Sequence, residues 1–203
     1  MIPVDTYNTV EKVTQGDIFK DRGSKFIGYV FPVTSEDQIK KYILYLKELH
    51  HKARHWCYAW RLGAEGTSFR VNDDGEPNNS AGNPIYGKLL SHDLTNVLIV
   101  VVRYFGGTKL GVGGLINAYR ISAGMAIEAS KIIQKTVDVN FELQFEYADM
   151  NKIMRLIKEK DLKIIRQEMN MDCIFEISVR KKNAESIIKN FEELRCVKIK
   201  NIN

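Results

Sequence analysis

Six consecutive apolar residues, Val97-Leu98-Ile99-Val100-Val101-Val102, sit in mid-chain without a single charge among them. A strand with one wet face alternates polar and apolar side chains. An unbroken apolar run has no wet face, so it predicts a central strand over 96–105, buried on both sides. A strand of this kind needs a sheet around it and cover above and below.

The surrounding periodicities supply candidates. Residues 8–33 read as extended, and residues 24–33 are rich in the aromatic and β-branched side chains that suit a pleated surface. Ser35-Glu36-Asp37-Gln38 has the form of a capping box, with Ser35 at the N-cap and Gln38 three residues on. Ile39, Tyr42, Ile43, Leu46 and Leu49 follow at helical spacing, which predicts a helix over 36–49. Residues 55–62 and 67–71 read as neighbouring strands. Residues 72–84, dense in Asp, Asn, Gly and Pro, read as a loop. After the apolar strand come a glycine-rich turn, 106–114, and a helix over 114–132.

The last third has a second grammar. Val137, Val139, Phe141, Leu143 and Phe145 alternate with polar residues, the mark of a half-buried strand. A helix over 150–157, strands over 163–169 and 171–179, a helix over 184–191 and a strand over 196–202 follow, with Asp149 and Asn183 as candidate caps. The order βαββαβ is the split βαβ, or ferredoxin-like, pattern. The expected class is α+β, with one domain over 1–135 and a ferredoxin-like domain over 136–203.

Charge and cysteines narrow the setting. Residues 1–135 carry 17 Lys and Arg against 13 Asp and Glu, and residues 136–203 carry 13 against 12. The basic excess therefore lies in the first domain, where it favours anionic partners. Cys57, Cys173 and Cys196 are odd in number, far apart and without a CxxC pair, which predicts buried thiols in a reducing compartment. The start, Met1-Ile2-Pro3-Val4-Asp5, has no leader pattern, and no apolar run is long enough for a bilayer. A cytoplasmic location with no membrane partner is expected.

The strongest chemical feature is Arg103-Tyr104-Phe105-Gly106-Gly107-Thr108-Lys109-Leu110-Gly111-Val112-Gly113-Gly114. It joins a buried strand to a helix N-terminus, where free N–H groups and the helix dipole favour anions. It lacks the Gly-Lys-Ser/Thr of a Walker loop, and Ile116 stands where a dinucleotide fingerprint needs its last glycine. NTPase and dehydrogenase chemistry are therefore not expected, and no cofactor is expected. Close packing and tight turns explain the glycines equally well. Asp73-Asp74-Gly75-Glu76-Pro77 concentrates carboxylates but lacks EF-hand spacing, so a solvated turn is the plainer reading. His51 and His55 are spaced like zinc ligands without the glutamate of HExxH, and no metal site is expected. Cys57 shares a strand face with His55, yet that is a weak nucleophile–base constellation.

Four segments together resemble the YigZ/IMPACT family: Ser24-Lys25-Phe26-Ile27-Gly28; Ala53-Arg54-His55-Trp56-Cys57-Tyr58-Ala59-Trp60-Arg61; Asp73-Asp74-Gly75-Glu76-Pro77 with Ala81-Gly82-Asn83-Pro84-Ile85; and Val101-Val102-Arg103-Tyr104-Phe105-Gly106-Gly107-Thr108-Lys109-Leu110-Gly111. Asn78-Asn79-Ser80 departs from the family's usual Ser-Gly-Thr. The resemblance implies a first domain like a ribosomal-protein fold, also found as domain IV of elongation factor G, and a second like that factor's last domain. Eukaryotic members regulate translation through the general-control kinase pathway, using a further domain for which this chain has no room. The expected function is binding to RNA or the ribosome in translation regulation, more than catalysis. Lys25, Arg54, Arg61, Arg103, Gly106, Gly107, Lys109, Gly111 and Arg120 are the expected anion-binding residues. The rivals are a protein-interaction module acting on a translation factor, and a hydrolase using Asp73, Asp74, Glu76 and His55.

Overall fold

A computed structural model describes residues 5–202. The start of the chain, residues 1–4, where no leader pattern is expected, lies outside the described residues. The chain forms two compact units, one over residues 7–135 and one over residues 136–202 with residues 5 and 6. Both mix helices and sheets, so the class is α+β.

The first unit is built on a sheet of five strands: β2 (Thr14–Asp21), β3 (Ser24–Pro32), β6 (Val97–Tyr104), β4 (His55–Leu62) and β5 (Ser68–Asn72), in that spatial order. The apolar run is the central strand β6, buried at every position from Val97 to Arg103. The strand has an apolar partner layer on each side. Val97, Ile99 and Val101 pack beneath α2 (Gly82–Ser91) and α3 (Gly111–Glu128). Leu98, Val100 and Val102 pack with Ile39 and Leu46 of α1 (Glu36–Leu49). Period-two alternation thus serves two cores instead of one core and solvent. A separate two-stranded ribbon pairs β1 (Thr6–Val10) with β7 (Ile132–Thr136).

Several expectations shift for physical reasons. The α1 cap forms as the spacing implies, with Ser35 Oγ accepting from the Gln38 N–H at 3.4 Å. The return arm moves by one residue, because Gln38 Oε1 accepts from the Thr34 N–H at 2.8 Å. Helix α2 occupies the end of the stretch read as a loop. Two glycines and a proline mask it locally, while Ile85 and Leu89 anchor it in the core. Helix α3 begins at Gly111, inside the glycine run, and stops at Glu128, so residues 129–131, read as part of its last turn, lie outside it and β7 starts at Ile132.

The second unit has strands β8 (Asp138–Glu146), β9 (Lys163–Glu168), β10 (Asp172–Arg180) and β11 (Val197–Asn201), with helices α4 (Met150–Glu159) and α5 (Ala184–Glu192). The spatial order is β11-β8-β10-β9, and every neighbouring pair is antiparallel. Strands β8 and β9, joined through α4, therefore flank β10. Leu143, Phe145, Phe175 and Ile177 face Ile153, Ile157, Ile187 and Phe191 of the two helices. The opposite strand positions carry a charge ladder in register, Lys200–Glu142–Glu176–Arg166. Asp149 and Asn183 occupy the N-caps of α4 and α5 without making a side-chain cap bond. Asp5 pairs with Arg180 at 2.6 Å, and the guanidinium holds its carboxyl below the usual range. Among the described residues no helix is long and apolar enough to cross a membrane.

Gly28 on β3 shows how tightly α3 lies on the sheet. A Cβ there would meet the Ser122 carbonyl oxygen at 2.4 Å, a backbone atom that cannot rotate away. Gly28→Ala should lower unfolding free energy by about 1–3 kcal/mol through overpacking. Denaturant unfolding checks this, and an unchanged midpoint would contradict the contact.

Candidate anion-binding site

Chemistry-bearing side chains converge at one end of the five-stranded sheet. The register places Arg103 of β6 opposite Phe26 on β3 and His55 on β4. Period-two alternation puts these side chains on the α2/α3 face. The Arg103 guanidinium lies 5.4 Å from the Phe26 ring centre and 5.5 Å from that of Phe105. It is only 4% exposed.

Burial of a cation requires compensation. Glu76, from the loop between β5 and α2, supplies it: Arg103 Nη1 donates to Glu76 Oε1 at 2.6 Å. The same oxygen accepts from the Tyr119 hydroxyl of α3 at 2.8 Å. Arg103 Nη2 donates to Ser24 Oγ at 3.4 Å, while Nε is buried without an acceptor.

The other two carboxylates of that loop serve the backbone. Asp73 Oδ1 accepts from the N–H groups of Ala81 and Gly82 at 2.9 and 2.8 Å, and Oδ2 accepts from Asn79 N–H at 2.8 Å. Ala81, the N-cap residue of α2, has no capping side chain, and Asp73 does this work from eight positions upstream. Asp74 Oδ2 accepts from the Trp56 N–H at 2.7 Å. His55 Nδ1 lies 2.9 Å from the Asp74 carbonyl oxygen. A carbonyl only accepts, which assigns the Nδ1–H tautomer to the neutral ring and leaves the Nε2 lone pair 3.8 Å from Glu76 Oε1. Of the four carboxylate and histidine candidates, His55 and Glu76 therefore share the site, while Asp73 and Asp74 are spent on loop geometry.

A cavity of about 340 Å³ opens here, lined by His55, Glu76, Arg103, Phe105, Lys109 and the start of α3 at Gly111. Helix α3 has no side-chain cap and no acidic residue in its first turn. Its free N–H groups and positive dipole end thus stay available to an anion. Lys109 is exposed and forms no ion pair among the described residues. Gly106 packs against Gly23 so closely that a Cβ would lie 1.9 Å from its carbonyl carbon. Gly107 and Gly111 hold φ of 88° and 74°, where side chains are disfavoured, and the chain turns there into the helix.

The remaining basic candidates divide by position. Lys25, opposite Tyr104, and Arg54, whose N–H donates to the Arg103 carbonyl, lie at the same sheet end and are exposed. Arg61 sits at the other end, opposite Val97, where Nε donates to the Gly66 carbonyl at 3.0 Å and Nη1 pairs with Asp93. Arg120 bonds Asn117 and lines a separate depression with Lys88. The single S–H of Cys57 has two acceptors within reach, the Asp73 carbonyl and the Tyr119 hydroxyl, and burial pushes its thiol up, so it remains protonated. Among the described residues no three His, Cys, Asp or Glu side chains gather as metal ligands. Ser24 and Tyr119 did not stand out in the sequence; one looks like a strand residue and the other like a helix core position.

With this geometry in place, comparison with known proteins is decisive. The family described as Impact N-terminal domain matches residues 22–127, a span that contains every residue of the site. The chain belongs to the IMPACT family. IMPACT family member YvyE of Bacillus subtilis is 31% identical over 191 residues, covering 93% of this chain and 87% of that protein. IMPACT family member YigZ of Escherichia coli is 30% identical, covering 88% and 85%. A crystal structure described only as a hypothetical protein superposes with a TM-score of 0.77 at 25% identity, covering 98% of both chains. The IMPACT relationship thus extends through both units.

A second polar cluster lies on the α1 face. His50 Nε2 is 2.7 Å from the Tyr29 hydroxyl, and Nδ1 is 2.9 Å from that of Tyr104. Burial holds the His50 imidazole below its usual range and pushes the Tyr29 phenol up to about 12.

Both clusters are open to measurement. Arg103→Ala strands the Glu76 carboxylate in the core and should cost about 3–5 kcal/mol, with Arg103→Lys costing less because a cation remains. Chemical denaturation reads both; a destabilisation by Arg103→Ala no larger than by Lys109→Ala would contradict the buried pair. The folded state disfavours charged His50, so its contribution is complete above the unfolded value of about 6.5 and is lost as pH falls from there toward the lower folded value. Unfolding measured from about pH 8 to 5 should therefore show a shallower acid loss in His50→Gln than in the parent. Parallel curves would rule out His50 as the source.

Proposed function

We infer that this IMPACT-family chain is an RNA- or ribosome-binding protein acting in translation, in a cytoplasmic setting. The observation that carries the reading is the cavity at the start of α3, lined by Lys109, by the uncapped helix terminus and by Arg103, whose Nε is buried without a partner. Each is a donor or positive end that phosphate oxygens satisfy. Exposed Lys25 and Arg54 add positive charge at the same sheet end, Lys25 on the α1 face opposite the cavity, and phosphates bound by such side chains position a strand without reading its sequence. The open face of the second unit supports the assignment of binding to the first. Its positions hold Asn140, Glu142, Gln144, Glu176 and Ser178, with no aromatic surface on which bases stack.

The domain division proposed with this reading assigns residues 1–135 to binding and residues 136–203 to a second, βαββαβ domain. A protein partner in the translation apparatus is the alternative outcome of the same test. Co-sedimentation with ribosomes and bulk RNA should weaken as salt rises. Lys109→Ala, by removing one phosphate neighbour of a single strand, should reduce the logarithmic salt slope by about 0.7. Binding indifferent to salt and to Lys109→Ala would overturn the phosphate reading. Retention on a partner after RNase treatment would transfer the role to a protein surface.

A further inference from the structure

We propose that the cavity at the start of α3 holds the terminal phosphomonoester of an RNA chain end, with Phe105 stacking the adjoining base. The proposal rests on the RNA-binding reading above and specifies which part of the RNA the site takes.

The cavity measures about 340 Å³. Small-ligand pockets begin at about 300 Å³, so the volume is on the scale of one phosphate with its nucleoside. It is walled by β4 at His55, the loop at Glu76 and Pro77, the end of β6 at Arg103 and Phe105, and the first turns of α3 at Leu110 and Leu115. An internal phosphodiester has chain leaving in two directions. A terminal phosphate has chain leaving in one, which suits a walled cavity of this size.

The donors match the same group. The buried Arg103 fork spends Nη1 on Glu76 and Nη2 on Ser24, while Nε faces no acceptor. The uncapped α3 terminus contributes N–H groups at Gly111 and Val112, and Lys109 contributes an unpaired ammonium. A phosphomonoester brings three acceptor oxygens and a charge of about −1.5 to −2. An internal diester brings fewer free oxygens and a single charge. Glu76 opposes any anion entering here, but its Oε1 is already held by the Arg103 guanidinium and the Tyr119 hydroxyl. The field left at the mouth is set by Lys109 and the helix end.

Phe105 supplies the third element. The residue is 47% exposed at the rim, and the Arg103 guanidinium lies 5.5 Å from the ring centre. A base stacked on the exposed ring would sit one nucleotide from the phosphate. Stacking of this kind tolerates any base, so end recognition would be independent of sequence.

The test is fluorescence anisotropy with a short, internally labelled single-stranded RNA prepared with a 5′-phosphate, a 3′-phosphate or hydroxyls at both ends. The full chain is used, with Lys109→Ala and Arg103→Lys beside it and thermal unfolding run on each. One phosphorylated form should bind about tenfold tighter than the hydroxyl form, the scale of one or two added charge-assisted hydrogen bonds. Both folded variants should lose that preference, and the preferred form identifies the end. Equal, salt-sensitive affinity for all three RNAs would overturn the end-binding proposal and leave the RNA reading standing. No binding to any of them at low salt would remove both.

Discussion

The buried contact between Arg103 and Glu76, 2.6 Å long, ties the first unit together at its chemical end. It connects the last turn of the central strand to a loop 27 residues earlier in sequence, and Tyr119 extends it to helix α3. Desolvating two charges is expensive, and a bare pair repays the cost only with good geometry and further hydrogen bonds. Here the geometry is short, a second donor shares the carboxylate, and two aromatic rings flank the guanidinium. The loop can hold Glu76 there only because Asp73 and Asp74 organise its backbone. The acidic stretch is therefore a scaffold that delivers one carboxylate to the core.

The same arrangement makes a cavity instead of a filled core. Glycines at 107 and 111 turn the chain abruptly after β6, and α3 starts without a side chain over its first N–H groups. Arg103 is itself only a donor and cannot satisfy them, and its own Nε remains unmet. An unsatisfied buried donor carries a cost, and here that donor is Arg103 Nε, beside the exposed first turn of α3 and the exposed Lys109. Family membership spans this segment, which puts the chemistry in the part of the molecule shared with its IMPACT relatives.

The second unit rests on a simpler constraint. Its sheet buries one face beneath two helices and balances the other electrostatically. Glu142 and Glu176 stand directly opposite one another, a repulsive pairing in isolation, yet Lys200 and Arg166 flank them in register. Cross-strand pairs of opposite charge stabilise a sheet as like pairs weaken it. The face is thereby polar and internally compensated, in contrast to the unbalanced donors of the first unit.

What the sequence determined by itself was whatever depends on neighbours along the chain. The unbroken run at 97–102 specified a two-sided strand, the strict alternation after 136 specified βαββαβ, and Ser35 with Gln38 marked the start of α1. Hydrophobic period and capping act over a few residues, so they can be read without a fold. Helix α2 was hidden because Gly82, Pro84 and Gly87 argue locally against it, and only burial of Ile85 and Leu89 outweighs them. The site depended on tertiary structure altogether. Sequence grouped Asp73, Asp74 and Glu76 as equivalents and Lys25, Arg54, Arg61, Arg103, Lys109 and Arg120 as one set. Strand register then brought Arg103 beside His55, sent Arg61 to the far end of the sheet, and turned Glu76 alone inward. Pairings across tens of residues follow from sheet order and burial, and those exist only once the chain has folded.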